Sequence, residues 1–233
     1  MNKTEPVVIL AGGFGTRLKD VLNGLPKPLA DINGTPFIKL LIDQLVKNGY
    51  NNFIFSLHFK ADLIINFFEN LDYKNCKLRF IVEPNPLGTG GAVSYIVNKL
   101  SINDYIYVVN ADSWMDLGYN QFINESKDII SLIRVKNTYR YGKVIVDDSL
   151  KIIKFSEKEN TKNAGLINSG FYKLHTSIFK NYKKNVYSIE NDLFPMLIVE
   201  GKLFGKIIDT NFTDIGIPSD YFNFCELNKN NVI

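Results

Sequence analysis

The chain has 233 residues, 45% hydrophobic and 22% charged, with 27 Lys and Arg against 24 Asp and Glu for a net charge of +3. That is enough apolar chain for one sizeable α/β domain, and so small and scattered a positive excess argues against a nucleic-acid partner. No apolar run approaches the roughly 20 residues of a membrane span, and Cys76 and Cys225, the only cysteines, form no Cys-x-x-Cys pair. The Met1–Pro6 stretch has no signal-peptide core, so the expectation is a reduced, cytoplasmic protein without a membrane partner.

In chain order, Val7 to Ala11 is an apolar, β-branched run that reads as the first strand. It enters Gly12-Gly13-Phe14-Gly15-Thr16-Arg17-Leu18 directly, and Pro26-Lys27-Pro28 follows at short range. Phe37, Leu40, Leu41, Leu45 and Val46 recur at helical spacing, and Gly49 stops that helix. Asn52 to Leu57 reads as a strand, and Leu63, Ile64, Phe67, Phe68 and Leu71 as a second helix. Strands are expected at Leu78 to Val82 and Tyr105 to Val109, with a helix between them running to about Lys99. This alternation predicts an α/β fold, a Rossmann-like, mostly parallel mixed sheet with helices on both faces. Ligands in such sheets sit at the carboxyl ends of the strands. Further on, Ile129 to Val135, Gly142 to Val146, Lys151 to Phe155 and Leu166 to Leu174 are closely spaced and read as mixed or antiparallel strands. No repeat or linker interrupts the chain, so residues 1–233 are read as one domain. Its nucleotide-binding half covers about 1–112 and its sugar-phosphate half 113–233.

The glycine loop carries the strongest chemical signal. Bare backbone lets N–H groups converge on an anion. Arg17 can fork two oxygens, and Lys27 adds a compact charge. A Walker loop fails, because Gly15 is followed by Thr16-Arg17 rather than Gly-Lys-Ser/Thr. A dinucleotide fingerprint fails too, because Leu18 stands where its third glycine belongs and no acid ends the second strand. Gly-Gly-x-Gly-Thr-Arg-Leu followed by Pro-Lys-Pro resembles the opening of the sugar-1-phosphate nucleotidylyltransferases. That family has the nucleotide-diphospho-sugar transferase fold.

The resemblance extends from Val7 to about Leu227 and implies a set of site residues. Leu10, Ala11, Gly12, Gly13, Gly15 and Thr16 would cradle the nucleotide. Arg17 and Lys27 would be catalytic. Pro86-Leu87-Gly88-Thr89 is similar to the segment that holds the nucleoside, and Glu83 stands just before it. A carboxylate there accepts both N–H groups of guanine's edge but meets a carbonyl of uracil, so Glu83 points to GTP. Asp112, after the Tyr105 strand, and Asp214, in Asp214-Ile215-Gly216-Ile217-Pro218, would hold Mg²⁺, a hard cation suited to carboxylates and phosphates. Asn110, Gly142, Glu157, Lys158 and Asn168 would bind the sugar phosphate.

The partners implied are a nucleoside triphosphate and a sugar 1-phosphate, and a homo-oligomer is neither demanded nor excluded. Arg17-Leu18-Lys19-Asp20 departs from the Arg-Leu-x-Pro of many glucose-1-phosphate members. The closing Asp-Ile-Gly-Ile-Pro-x-Asp-Tyr looks most like members that guanylylate D-glycero-α-D-manno-heptose 1-phosphate, with mannose 1-phosphate and uridylyl enzymes next. A metal-dependent glycosyltransferase and an inactive regulatory subunit are the alternatives of different class. The first lacks a full Asp-x-Asp, and the second sits poorly with intact Arg17, Lys27, Asp112 and Asp214.

Overall fold

The computed structural model describes residues 5–156 and 163–229, so Glu157 and Lys158 lie outside the described residues. Along the chain run β1 (Val7–Leu10), β2 (Asp31–Ile32), β3 (Thr35–Pro36), α1 (Phe37–Lys47), β4 (Asn52–Leu57), α2 (Ala61–Glu69) and β5 (Lys77–Val82). There follow α3 (Gly88–Lys99), β6 (Tyr105–Asn110), β7 (Ser113–Met115), β8 (Asp128–Val135), β9 (Lys143–Val146) and β10 (Ile152–Ser156). Last come β11 (Gly165–His175), α4 (Ser177–Lys180), α5 (Phe194–Val199), β12 (Leu203–Ile208), β13 (Phe212–Asp214) and α6 (Pro218–Leu227). These form two compact units, the first from Met1–Pro86, Asn110–Trp114 and Thr213–Ile233, the second from Leu87–Val109 and Met115–Phe212.

In the first unit β1, β4 and β5 are parallel, with Val7 paired to Phe53, Leu10 to Ser56 and Leu57 to Val82. Val7 to Ile9 and Phe53 to Leu57 are buried without alternation, as expected of parallel strands covered on both faces. Shared direction and register bring the strand ends to one edge, where Gly12, His58 and Glu83 follow β1, β4 and β5. α1 turns Phe37, Ile38, Leu41, Ile42 and Leu45 inward at helical spacing. α6 buries Tyr221 and Phe224, and the Tyr221 hydroxyl donates to the Asp31 carbonyl at 2.6 Å. That bond ties the C-terminal helix to the hairpin that follows Lys27.

The second unit is built on β11, which pairs antiparallel with β6, β8 and β9. β12 lies parallel to β8, and β10 antiparallel to β9. The mixed strands expected of the second half are thus present. The β11–β8 register is broken between Asn168, opposite Leu132, and Tyr172, opposite Ile130. Four steps on one strand face two on the other, and Gly170 takes a φ of 80° within the bulge. A side chain other than glycine resists that conformation. Bulges re-aim neighbouring side chains, and the two residues flanking this one are Asn168 and Tyr172.

Candidate active site

At the strand edge of the first unit lies a cleft of about 250 Å³, lined by Leu10, Ala11, Gly13, Gly15, Thr16, Arg17, Lys27, Asp112, Asp214 and Gly216. It is polar because of how each element ends. β1 gives way to glycines just as it leaves the core, so backbone rather than side chain faces the opening. Leu18, buried, anchors a turn over Thr16–Leu18 whose Leu18 N–H donates to the Gly15 carbonyl at 3.0 Å. Arg17, beside it, stays exposed at the mouth. Pro26 is held extended and Pro28 is buried, which fixes the turn Lys27–Leu29 and the entry of the Lys27 side chain.

Lys27 is the centre of the arrangement. Its side chain is only 14% exposed, and its Nζ donates to Asp112 Oδ2 at 2.7 Å and lies 3.9 Å from Asp214 Oδ1. The two aspartates come from distant parts of the chain. They are joined by a backbone bond from Ile215 N–H to the Asp112 carbonyl at 3.0 Å. Asp214 Oδ1 also accepts the Gly216 N–H at 2.6 Å, and Asp112 Oδ1 accepts the Ser113 hydroxyl at 3.2 Å. Both carboxylates therefore converge on a single cationic atom while keeping about a third of their side-chain surface exposed.

That convergence is the test of a metal site. Among the described residues no group of three or more His, Cys, Asp or Glu is placed to hold a metal. Two carboxylates with an open side fit a hard cation that completes its shell with substrate phosphates and water, which is how Mg²⁺ is usually bound. A polyphosphate also brings more negative charge than Arg17 and Lys27 can balance once Asp112 and Asp214 are counted. The residues present fit the group.

Glu83 is 7% exposed and lies behind the glycine loop. Its Oε1 accepts the Ser56 hydroxyl at 2.9 Å, and its N–H donates to the Leu57 carbonyl at 2.7 Å. A Cβ on Gly12 would come within 3.0 Å of that same Oε1. Glu83 thus supports the loop backbone whatever else it does. Ser56 and His58, whose Nδ1 lies 3.3 Å from the Glu83 carbonyl, had no role assigned from sequence. Ser56 left a signal, being a polar residue inside the apolar run Phe53 to Leu57.

Pro86 belongs to the first unit, while Leu87, Gly88 and Thr89 open α3 in the second. Gly88 and Gly90 pack against Tyr187, and Gly91 against the Asn185 carbonyl. Gly90 and Gly91 N–H groups donate to the Tyr187 carbonyl at 3.0 and 3.2 Å, and a Cβ on Gly90 would overlap the Tyr187 ring. Burial pushes the Tyr187 phenol up to about 12, partly offset by its bond to the Ser94 hydroxyl at 2.6 Å. Asn110, in the first unit, has a buried Oδ1 without a hydrogen-bond partner among the described residues. Such an atom is costly unless something donates to it. Gly142 and Asn168 are brought together in the second unit, where Asn168 N–H donates to the Gly142 carbonyl at 3.1 Å.

Comparison with known proteins adds to this geometry. Residues 6–230 match the family model described as nucleotidyl transferase. The D-glycero-alpha-D-manno-heptose 1-phosphate guanylyltransferase of Campylobacter jejuni is 35% identical over 219 residues, covering 93% of this chain and 97% of that protein. The crystal structure of HddC from Yersinia pseudotuberculosis is 38% identical with a TM-score of 0.87, covering 97% of this chain and 100% of that one. HddC complexed with GMP-PN matches with a TM-score of 0.84 at 37% identity and the same coverage. The match spans almost the whole chain, as the glycine loop and Pro-Lys-Pro segment led the sequence to be read: the chain belongs to the nucleotidyl transferase family.

Proposed function

We propose that the protein transfers a guanylyl group from GTP to D-glycero-α-D-manno-heptose 1-phosphate, releasing pyrophosphate. The observation that carries this reading is the cleft in which Lys27 meets Asp112 and Asp214 beside the glycine loop and Arg17. Relatives named for that activity and a neighbour holding GMP-PN support the choice of base and sugar. In the reaction a phosphate oxygen of the sugar 1-phosphate attacks the α-phosphorus of GTP in line. The new P–O bond forms as the bond to the bridging oxygen breaks, and its electron pair leaves with pyrophosphate. Such chemistry asks the protein mainly for positioning and charge neutralisation.

The roles follow from position. Gly12 to Thr16 would present backbone N–H groups to the β- and γ-phosphates, and the Arg17 fork would hold the departing pyrophosphate. Lys27 would move its charge from the carboxylates to the α-phosphate as substrate enters. Asp112 and Asp214 would hold Mg²⁺, which supplies Lewis-acid neutralisation of the phosphate oxygens when bound. Glu83 would accept guanine's two N–H groups, and Pro86, Leu87, Gly88 and Thr89 would flank the nucleoside. Asn110, with its orphaned Oδ1, would take a sugar hydroxyl, alongside Gly142, Glu157, Lys158 and Asn168. Free Cys76 and Cys225 accord with a cytoplasmic location.

The test is pyrophosphate release from four triphosphates against a panel of sugar 1-phosphates, with and without Mg²⁺. The expected outcome is Mg²⁺-dependent release with GTP and the heptose. Faster turnover with mannose 1-phosphate would move the sugar assignment, and preference for UTP would move the base.

A further inference from the structure

The second unit holds a polar chain whose central carboxylate, Glu190, has no role in the proposed reaction. Glu190 lies in the single-turn segment Ile189–Leu193, capped by Ser188. Its Oε2 accepts the hydroxyls of Thr89 and Ser188, both at 2.8 Å, and its Oε1 accepts the Tyr172 hydroxyl at 3.2 Å. The Tyr172 oxygen in turn accepts Asn168 Nδ2 at 2.8 Å, and Asn168 Oδ1 accepts the Gly170 N–H at 3.0 Å. On the other side, Thr89 Oγ1 accepts the Ile189 N–H at 2.8 Å.

An ionised carboxylate accepts and never donates. That one fact fixes the direction of the whole chain. Tyr172 has a single proton and gives it to Glu190, so its oxygen must receive the Asn168 amide. Asn168 cannot turn over, because its oxygen is already held by Gly170 within the β11 bulge. Thr89 likewise gives its proton to Glu190 and keeps its oxygen for Ile189. A neutral amide at position 190 both donates and accepts, and would no longer oblige Tyr172 and Thr89 to point their protons at it. Nothing in Ser188-Ile189-Glu190-Asn191 marks the residue from sequence, since Thr89 and Tyr172 lie elsewhere along the chain.

We propose that Glu190 is a positioning residue: through Tyr172 it orients the Asn168 amide toward the acceptor sugar, and through Thr89 it holds the nucleoside loop at the start of α3. The role rests on the guanylyltransferase reading above. Two independent arms leave one carboxylate, so each can be cut alone. Tyr172→Phe removes the Asn168 arm, Thr89→Val the nucleoside arm, and Glu190→Gln disturbs both while keeping the shape. KM for sugar 1-phosphate and for GTP, kcat and thermal midpoint are measured for each variant. Losing a hydrogen bond to a charged group predicts roughly a tenfold rise in the affected KM. Tyr172→Phe should raise the sugar-phosphate KM alone, Thr89→Val the GTP KM alone, and Glu190→Gln both. Glu190→Asp, which keeps the charge, should lie between wild type and Glu190→Gln. If the variants lower the thermal midpoint but leave both KM values alone, or if the two arms shift both KM values alike, Glu190 is a structural residue and the role is overturned. A wild-type protein that turns over without this split overturns only the role. A wild-type protein that turns over no sugar 1-phosphate overturns the reaction, and the role with it.

Discussion

Lys27 occupies a place between two carboxylates that a divalent cation and a phosphate would both compete for. Its 2.7 Å bond to Asp112 is partly exposed, as is Asp214, so neither ion pair contributes much to stability. The proposed roles therefore separate function from fold. Asp112→Asn and Asp214→Asn should each lower kcat by roughly a hundredfold or more, because each removes charge that the cation needs. The thermal midpoint should move little. Near-normal turnover in either variant at saturating Mg²⁺ would end the shared-metal assignment. Glu83 is the opposite case, buried and already bonded to Ser56. Glu83→Gln keeps an acceptor for Ser56 but loses the doubly accepting edge that guanine needs. The ratio of kcat/KM for GTP over UTP should fall by about tenfold or more. A fall in thermal midpoint with an unchanged ratio would mean that Glu83 only braces the Gly12 backbone.

Elements were more legible than their junctions. β4 and β6 could be read directly because strands buried on both faces are nearly continuous apolar runs, and α1 because its apolar residues repeat at helical spacing. The β11 bulge was hidden, since Asn168-Ser169-Gly170 shows a glycine but not the strand opposite. The convergence of Asp112 with Asp214 could be expected only from the family resemblance, because one backbone bond between distant segments makes it. Gly90, just past the Gly88-Thr89 pair proposed to flank the nucleoside, is needed where α3 packs on Tyr187, a contact that the run of glycines alone does not reveal. That packing has its own consequence. Gly90→Ala forces the methyl into the Tyr187 ring or moves the ring, at a cost of about 1–3 kcal/mol. Denaturant unfolding should show a lower midpoint, and in a Tyr187→Ala background, itself less stable, adding Gly90→Ala should cost less than it does in wild type because space for the methyl is open. A Gly90→Ala protein as stable as wild type would show that the Tyr187 ring gives way to the methyl without cost.

At the scale of the whole molecule, neither unit is one stretch of chain, and the groups proposed for the triphosphate lie in one while Gly142 and Asn168, proposed for the sugar phosphate, lie in the other. The triphosphate groups, from Gly12 to Lys27 with Asp112 and Asp214, all belong to the first unit, while Gly142, Asn168 and Glu190 belong to the second. Local opening differs between such units, and a ligand protects the amides of the elements it holds. Hydrogen exchange should therefore separate the substrates without any turnover. GTP with Mg²⁺ is expected to slow exchange at residues 11–18, 27–30, 111–113 and 214–216, where backbone and carboxylates line the cleft. Sugar 1-phosphate alone is expected to slow residues 142–144 and 165–172. GTP that protects only the second unit would contradict the triphosphate assignment. With Mg²⁺ omitted, protection around 12–18 should persist in weaker form, because backbone N–H groups and Arg17 still meet the phosphates, while protection at 111–113 and 214–216 should vanish. Equal protection at all four segments with and without the cation would show that Lys27 alone organises Asp112 and Asp214, and that the metal has no part in holding the nucleotide.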